Sequence, residues 1–325
     1  MQEVISLPET GSPEWHALRR TGLGGSDAAA AVGMSKWKTP RQLYLEKIGE
    51  SETVENEPMR WGTILEPVVR QEYCNQTGRI VTAPGLIRHA ARDCVFFNAD
   101  GIADACRLYE GKTARTAEGW GEPGSDEIPQ EYMLQVQHGM AVLGLEVADV
   151  AVLIGGSDFR IYTVAADEEL QCLLLEQEER FWVDHVLARV PPKATTPEDV
   201  RRMWRVSSGR GITAEPQIAS AVTELANVKA TLKVLEEYEN TLAGAIQSQM
   251  ADAAELLGDD GKPLATWKNI NASRRFDMAA FKAADPDLYE SYMVDPPPQR
   301  RFLLKVKGSP CLPQSQPAVQ NLPAE

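Results

Sequence analysis

The feature that most constrains the fold is a spacing of acidic and basic side chains in the first half of the chain. Asp100 is followed by Glu110 and then by Lys112. Glu110 and Lys112 lie two positions apart, so on a β-strand both side chains point to the same face of the sheet. An apolar run over residues 95–97 precedes Asp100, and residues 98–101 are predicted to turn the chain back. This predicts a β-hairpin with all three polar side chains at one edge.

Two carboxylates and a lysine in this arrangement suit a metal-dependent phosphodiester nuclease. Mg²⁺ takes one or two protein carboxylates and fills its other positions with water and phosphate oxygens, so Asp100 and Glu110 are predicted metal ligands. Lys112 is predicted to orient or deprotonate the attacking water and to offset negative charge on the phosphate. Such a triplet also arises by chance, with Glu and Lys on a solvated strand face. The short motif alone therefore leaves both interpretations open.

Composition limits the class of protein without selecting a function. The 325 residues accommodate one catalytic domain of about 200 residues and a smaller appendage. No apolar run is long enough for a membrane span and no signal peptide is recognisable, so we expect neither membrane insertion nor secretion. The five cysteines are scattered without a CxxC pair, which favours reduced thiols in a cytoplasm. The net charge of -14 opposes nonspecific DNA binding, although a local basic groove can coexist with an acidic exterior.

Helices and strands are predicted to alternate around the motif. Strands are expected at residues 95–113, 148–154 and 159–164. Helices are expected to start at Pro13, to run from Pro40 to about Lys47, to surround Glu66, and to cover residues 131–143 and 168–188. This order predicts an α/β fold with a mixed central sheet flanked by helices.

Two segments of the first half have roles that the residues alone leave open. Glu66 lies near the apolar side of its helix, and we favour a surface charge over a third acidic group facing the metal. The glycine-rich loop from Gly22 to Asp27 leads into a helix N-terminus, where backbone N–H groups favour an anion. An ordinary glycine loop with a Ser or Asp cap is an equal alternative.

The second half of the chain is predicted to be separate from the first. We assign residues 1–190 to a catalytic domain, 191–212 to a linker, 213–308 to a helical appendage with short strands, and 309–325 to a disordered tail. Within the appendage, strands are expected over residues 263–270 and 301–306 and a helix over about residues 278–293. Apolar residues at heptad spacing predict a long helix or short coiled coil: Ile218, Ala221, Leu225, Val228, Leu232, Leu235, Leu242 and Ile246. A basic, aromatic-bearing group either contacts phosphate or belongs to a solvated linker: Arg201, Arg202, Trp204, Arg205 and Arg210.

Several short motifs, taken in order, resemble the YqaJ-like viral recombinase family, a branch of the PD-(D/E)XK nucleases that includes phage lambda-type exonuclease. The resemblance covers about residues 12–187 and lies in the ordered set rather than in any one motif. The motifs are Trp15-His16-Ala17-Leu18-Arg19, Gly25-Ser26-Asp27, Arg60-Trp61-Gly62 with Glu66, Asn98-Ala99-Asp100-Gly101, Glu110-Gly111-Lys112, Gln135-Val136-Gln137-His138 and Gly155-Gly156-Ser157-Asp158-Phe159-Arg160. The resemblance implies a PD-(D/E)XK nuclease core.

The resemblance also implies roles for the residues of a metal site. Asp100 and Glu110 match the metal carboxylates, and Glu66 matches the helix glutamate that completes the site, which reverses the preference for a surface charge. Lys112 matches the lysine beside the attacking water. Gln135 matches a glutamine that orients water or the lysine.

A second implied site would bind a terminal phosphate of DNA. Arg19 and Ser26 match positions that hold a 5′-terminal phosphate, a task that suits the bidentate guanidinium group. One departure from the family pattern is Ala99, which stands where a proline precedes the first aspartate. Gln137 and His138 are interpreted as helix-face residues rather than as metal ligands.

The implied activity is a Mg²⁺-dependent 5′-to-3′ exonuclease that resects double-stranded DNA ends, with Mn²⁺ as a substitute. The implied partners are double-stranded DNA ends and a single-strand annealing protein of phage-type recombination, in the cytoplasm of a bacterial host. A homo-oligomer, a trimer in relatives, is also implied. The alternatives are an endonuclease or a Cas4- or RecB-type nuclease on the same core, and a non-catalytic module that binds DNA ends or a recombination partner.

Overall fold

The structure is a computed structural model that describes residues 3–5, 8, 12–51, 56–269, 276–295 and 300–310. The chain divides into two compact units, Met1–Met203 and Trp204–Glu325. In the first unit the helices are α1 (Pro13–Arg19), α2 (Gly25–Ala31), α3 (Pro40–Lys47), α4 (Glu57–Thr77), α5 (Gln130–Leu143), α6 (Glu168–Phe181) and α7 (Pro197–Met203). Its strands are β1 (Glu3–Ile5), β2 (Val81–Thr82), β3 (Leu86–Arg88), β4 (Phe96–Asn98), β5 (Gly101–Ala103), β6 (Arg107–Ala114), β7 (Val147–Ile154) and β8 (Asp158–Ala165).

A five-stranded mixed sheet is the centre of the first unit. Its strand order is β2-β5-β6-β7-β8. Strands β6 and β7 are parallel, because α5 connects them, whereas the other neighbours are antiparallel. Strands β1, β3 and β4 form a separate antiparallel sheet. The predicted α/β fold class, a mixed central sheet flanked by helices, is confirmed.

The two faces of the central sheet pack against different helices, because successive strand side chains alternate between faces. Tyr109 of β6 packs with Val69 and Tyr73 of α4. Leu108 of the same strand lies in a cluster with Val136 of α5. Glu110 and Lys112 lie two and four residues after Leu108 on the same strand, so their side chains are on the face of the sheet that packs against α5.

The starts of the helices follow local signals in the sequence. Ser12 caps α1 by accepting a hydrogen bond from the Trp15 amide (3.1 Å), and Pro13 occupies the first turn. Thr39 forms a capping box with Gln42 at the start of α3. Both predicted helix starts are confirmed. The last predicted helix of this unit, 168–188, is also confirmed, although its final turns, Trp182–Leu187, are π-helical.

The strand that forms a hairpin with β6 is not the strand expected from the sequence. The apolar run at residues 95–97 leads into β4, which belongs to the separate sheet. The hairpin mate of β6 is β5, and the tight turn between them is at Asp104 and Ala105, both with positive φ. Residues 98–101 therefore carry the chain from one sheet to the other instead of forming the hairpin turn.

Helix α7 lies within residues 191–212, the segment predicted to be a linker. Its Asp199 is buried and accepts hydrogen bonds from the Thr39 hydroxyl (3.1 Å) and the Thr195 amide (3.3 Å). Part of the predicted linker is thus helical and packed on α3. The domain bounds assigned from the sequence stay a prediction.

The second unit contains helix α8 (Pro216–Met250), strands β9 (Glu255–Leu257) and β10 (Pro263–Thr266), and helices α9 (Met278–Ala284) and α10 (Pro286–Ser291). The predicted heptad helix is confirmed as α8. The single helix expected over residues 278–293 is wrong: Asp285 ends α9 and caps α10, with Pro286 in its first turn. A strand expected at residues 301–306 is also wrong, because the described residues 300–310 contain none. The tail after Pro310 lies outside the described residues.

Three other expectations concern composition and surface. Within the described ranges, no helix is both long and apolar enough to cross a membrane. Four of the cysteines lie there as free thiols, and Cys311 lies outside. The residues of the predicted basic group are exposed, and a phosphate contact stays a prediction: Arg201, Arg202, Trp204, Arg205 and Arg210.

Candidate active site

Strand β6 presents the centre of the candidate site on the face that packs against α5. The Glu110 side chain is 2% exposed, and its Oε1 accepts hydrogen bonds from Lys112 Nζ (2.6 Å) and Gln135 Nε2 (2.5 Å). Lys112 Nζ also donates to Gln135 Oε1 (3.1 Å). The three side chains form a closed triangle, so the glutamine fixes the carboxylate and the ammonium group at once.

Asp100 reaches this triangle through the strand register. Gly101 of β5 pairs with Tyr109 of β6, which places Asp100 next to Glu110. Asp100 Oδ2 accepts a hydrogen bond from the Gly111 amide (2.9 Å). Asp100, Glu110 and Lys112 therefore lie close together, as predicted, although β6 is an interior strand of the sheet and not an edge strand.

Glu66 approaches the same edge from the other face of the sheet. It lies on α4, with a side chain 38% exposed, and accepts a hydrogen bond from Arg70 (2.6 Å). Partial burial and the Asp100 carboxylate raise the pKa of Glu66, whereas Arg70 and Lys112 lower it less. In the structure the Glu66 carboxylate is turned toward Arg70.

The electrostatics of Glu110 are unusual for a carboxylate. Burial and the nearby Asp100 raise the pKa of Glu110 to about 7, against the opposing effect of Lys112. Glu110 Oε2 is buried and has no hydrogen-bond partner within the described part of the chain. A buried carboxylate oxygen without a donor is costly unless something else satisfies it.

Lys112 is held as an ammonium group. Burial lowers the pKa of Lys112, but the carboxylates of Glu110 and Asp100 outweigh it and the pKa rises. Its Nζ also lies 4.8 Å from the ring centroid of Tyr132, within range of a cation–π contact. The Tyr132 ring is packed against Trp37 (5.7 Å) and Trp120 (5.6 Å).

The residues predicted to bind a terminal phosphate line a cavity beside the triangle. Arg19 donates to the Ser26 hydroxyl (3.0 Å), and the cavity that they line includes Gln135. Gly25 makes the approach of α2 to β4 possible, since a Cβ there would lie 2.4 Å from the Phe97 ring. Gln135 therefore belongs both to the Lys112 triangle and to the lining of the cavity that contains Arg19 and Ser26.

Asp27 holds in place Arg19, one of the residues that line this cavity. Its carboxylate accepts hydrogen bonds from Arg19 (3.2 Å to each oxygen), Lys47 Nζ (2.7 Å) and the Gly24 amide (3.1 Å). Burial alone would raise the pKa of Asp27, but Lys47 and Arg19 hold it well below its usual range. Burial lowers the pKa of Lys47 to about 8, against the attraction of Asp27.

Asp27 was considered only as a cap of the glycine loop, and no role was predicted for Lys47 or Tyr132. Asp27 was within reach, since it belongs to a quoted motif and stands in the first turn of α2. Lys47 ends α3 and resembles an ordinary last-turn lysine, so the sequence offers no signal for its burial. Tyr132 likewise has no distinguishing pattern.

Gln137 and His138 are not surface residues of α5. His138 is fully buried, with Nδ1 2.8 Å from Glu178 and Nε2 3.0 Å from the Phe96 carbonyl oxygen. Both partners are acceptors, so the ring is an imidazolium, and Glu178 raises the pKa of His138 against the effect of burial. Gln137 is buried too and accepts a hydrogen bond from the Asp167 amide (3.0 Å) at the start of α6. Both residues are structural.

A metal ion would have to be held by the carboxylates at this edge. Within the described residues no three His, Cys, Asp or Glu side chains are already arranged to hold one. The donor chemistry nevertheless fits Mg²⁺, because Glu110 Oε2 is a buried, unpartnered hard oxygen beside Asp100. Glu66 would have to leave Arg70 to join them.

Comparison with known proteins gives a consistent result. Residues 14–146 match the model of the YqaJ-like viral recombinase domain. The YqaJ protein of Bacillus subtilis strain 168 is 32% identical over 293 residues, which are 87% of this chain and 91% of that protein. A protein of African swine fever virus is 32% identical over 74 residues, 22% of this chain and 21% of that protein.

Two solved structures of exonucleases have a partly similar chain course. The alkaline exonuclease LHK-Exo from Laribacter hongkongensis, in complex with dAMP, is 22% identical with a TM-score of 0.46; the match covers 59% of this chain and 97% of that one. A phage-related exonuclease from Haemophilus somnus 129PT is 11% identical with a TM-score of 0.38, over 54% of this chain and 98% of that one.

Proposed function

Because the chain belongs to the YqaJ-like viral recombinase family, we propose that it is a Mg²⁺-dependent exonuclease that resects double-stranded DNA ends in the 5′-to-3′ direction. The observation that carries this proposal is the buried, unpartnered Glu110 oxygen, beside Asp100 and joined through its other oxygen to Lys112. This combination suits hydrolysis of a phosphodiester and has no evident structural purpose.

The carboxylates of Glu66, Asp100 and Glu110 would hold the metal ion. When bound, Mg²⁺ supplies Lewis acidity and a more acidic water. Lys112 is an ammonium group at neutral pH, so its task is to place positive charge beside the phosphate and to donate a hydrogen bond, rather than to deprotonate water. Gln135 keeps that ammonium group in place through its side-chain oxygen.

We attribute the 5′-to-3′ direction of resection to binding of the 5′-terminal phosphate in the cavity lined by Arg19. The guanidinium group of Arg19 and the Ser26 hydroxyl line the same depression as Gln135, so a terminal phosphate bound there would lie next to the Lys112 triangle. Linear duplex labelled at either the 5′ or the 3′ terminus tests this assignment. We expect early release of 5′-labelled mononucleotide with Mg²⁺ and none with a chelator. Early release of the 3′ label would overturn the direction, and cleavage of a closed circular duplex would favour an endonuclease.

The product of such resection is a 3′-terminated single strand. We propose that a single-strand annealing protein receives it, as part of phage-type recombination in the bacterial cytoplasm. Co-purification of the two proteins, with the interaction surviving nuclease treatment, would support a direct partnership.

Metal affinity should depend on pH through Glu110. A proton on Glu110 competes with the cation, and burial with Asp100 raises its pKa to about 7. Affinity for Mg²⁺ should therefore increase by up to about tenfold per pH unit below pH 7 and level off above it. Isothermal titration of the DNA-free protein at several pH values measures this. Glu110→Gln should bind Mg²⁺ more weakly and lose the pH dependence; an unchanged dependence would show that another group is responsible.

Tyr132 is expected to act as a positioning residue for Lys112. Tyr132→Leu removes the ring under the ammonium group and should lower kcat by about thirtyfold, the equivalent of the about 2 kcal/mol of a desolvated cation–π contact. Since the Lys112 ammonium loses stabilisation, the alkaline limb of the pH–rate profile should also move to lower pH. Tyr132→Phe keeps the ring and is the matched control. If both variants behave alike, the ring has no role toward Lys112.

A further inference from the structure

Three buried polar side-chain atoms in the described part of the chain have no hydrogen-bond partner. They are Glu110 Oε2, the Tyr109 hydroxyl oxygen and Arg70 Nε. Tyr109 and Glu110 are successive residues of β6, and Arg70 lies on α4, the helix that packs on Tyr109. Buried polar groups in proteins are nearly always paired, so three unpaired groups around one strand need a physical explanation.

Arg70 holds the Glu66 carboxylate through one end of its guanidinium group. Its Nη2 donates to Glu66 Oε1 (2.6 Å), and neither side chain has another hydrogen-bond partner among the described residues. The two residues are four positions apart on α4, a spacing at which side chains of opposite charge meet on a helix. Glu66 is therefore bound to a cationic group on the side chain that would have to turn toward Asp100 and Glu110 to hold a metal ion.

The Tyr109 hydroxyl is placed to offer Arg70 a second partner. A Cβ on Gly111 would lie 2.9 Å from the Tyr109 hydroxyl oxygen and 3.6 Å from Val69 Cγ1, so the hydroxyl lies over Gly111, beside the turn of α4 that carries Arg70. Burial and the Asp100 carboxylate raise the pKa of Tyr109, and the charge of Arg70 opposes them. A tyrosine hydroxyl can accept a hydrogen bond, and a guanidinium group has five N–H donors.

We propose that Arg70 competes with the metal ion for Glu66, and that the Tyr109 hydroxyl accepts a hydrogen bond from Arg70 when Glu66 is released. The exchange pairs two of the three unpartnered groups with each other and leaves the third, Glu110 Oε2, to the cation. Arg70 is thus a positioning residue that acts through Glu66. The proposal rests on the metal site of the proposed function and concerns how tightly that site binds Mg²⁺.

Isothermal titration of the DNA-free protein with Mg²⁺ tests the competition, at a pH well above 7 where Glu110 is ionised. Arg70→Met keeps the apolar stem of the side chain and removes the guanidinium group. We expect the Mg²⁺ dissociation constant to fall by about two- to fivefold, because Glu66 no longer has to leave a partly exposed ion pair before it binds. A dissociation constant that stays the same or rises would overturn the proposal.

A second background separates competition for Glu66 from the general effect of removing a positive charge. The amide of Glu66→Gln cannot form the ion pair, so adding Arg70→Met to this variant should not change its Mg²⁺ dissociation constant further. An equal gain in affinity in both backgrounds would show that Arg70 acts on the cation through its charge alone, and would overturn the proposal.

Tyr109→Phe tests the second partner, because it keeps the ring that packs on Tyr73 and removes only the hydroxyl. The Mg²⁺ dissociation constant should rise by about two- to tenfold, since Arg70 then lacks the acceptor to which it turns. In the Arg70→Met background the same change should have no effect. A rise of equal size in both backgrounds would exclude Tyr109 from the exchange.

The same titrations distinguish failure of this proposal from failure of the proposed function. A wild-type protein that binds no Mg²⁺ would overturn both, whereas wild-type binding that Arg70→Met does not tighten would overturn this proposal alone. Circular dichroism of each variant should show the helix content of the wild type, so that a change in affinity reports on the site and not on unfolding.

Discussion

Replacing Lys112 with alanine is expected to lower kcat on linear duplex DNA by about 10²- to 10⁴-fold. The variant removes the buried ammonium group that contacts both Glu110 and Gln135, and no other cation is bonded to this Glu110 oxygen within the described residues. Initial rates at saturating Mg²⁺ measure the loss. Lys262→Ala, whose side chain is 81% exposed in the second unit, is the control and should retain wild-type turnover.

Binding of Mg²⁺ should survive in the Lys112→Ala variant. Loss of the ammonium group raises the pKa of Glu110 further, so the comparison belongs at a pH well above 7. Retained metal binding without cleavage would separate the role of Lys112 from that of the carboxylates. Wild-type turnover in the variant would refute the assignment.

Replacing Asp27 with alanine is expected to lower the free energy of unfolding by about 3–5 kcal/mol, because it leaves a buried charge without its partner. Asp27 is 1% exposed and is the acceptor for both Lys47 and Arg19. Urea denaturation measures the change. The control is Glu198→Ala, which breaks an exposed ion pair with Arg202 and should cost about 0–1 kcal/mol.

The same variant should alter the selection of DNA ends. Without Asp27, the Arg19 guanidinium loses both of its carboxylate contacts and is no longer fixed beside Ser26. The preference for 5′-phosphorylated over 5′-hydroxyl ends should therefore fall in whatever fraction remains folded. Arg19→Ala should produce the same loss of preference with a smaller loss of stability. An unchanged preference in both variants would remove Arg19 from the phosphate site.

The candidate site could be predicted where it depends on local spacing. Glu110 and Lys112 share a face because they are two residues apart on one strand, which the sequence alone establishes. Gln135 and Glu66 needed the family resemblance, since their approach depends on how α5 and α4 pack on opposite faces of the sheet. Periodicity reports which side of a helix is buried, but not which strand residue it meets.

The parts that could not be predicted depend on contacts between distant residues. Lys47 lies 20 residues from Asp27, and a last-turn lysine on α3 has no local feature that indicates burial. The place of β4 was misjudged for a related reason: an apolar run fits either sheet, and only pairing with β3 decides between them. In the second unit, Asp285 ends α9 and caps α10, which begins at Pro286. The segment predicted as one helix therefore forms two.

The most direct test of the central claim is the release of acid-soluble nucleotide from linear duplex by wild type and by Asp100→Asn, each with Mg²⁺ and with chelator. Asp100→Asn keeps the side-chain oxygen that can accept from the Gly111 amide but removes the carboxylate charge. We expect release only by the wild type with Mg²⁺. Equal release by Asp100→Asn, or release by the wild type in chelator, would contradict this expectation.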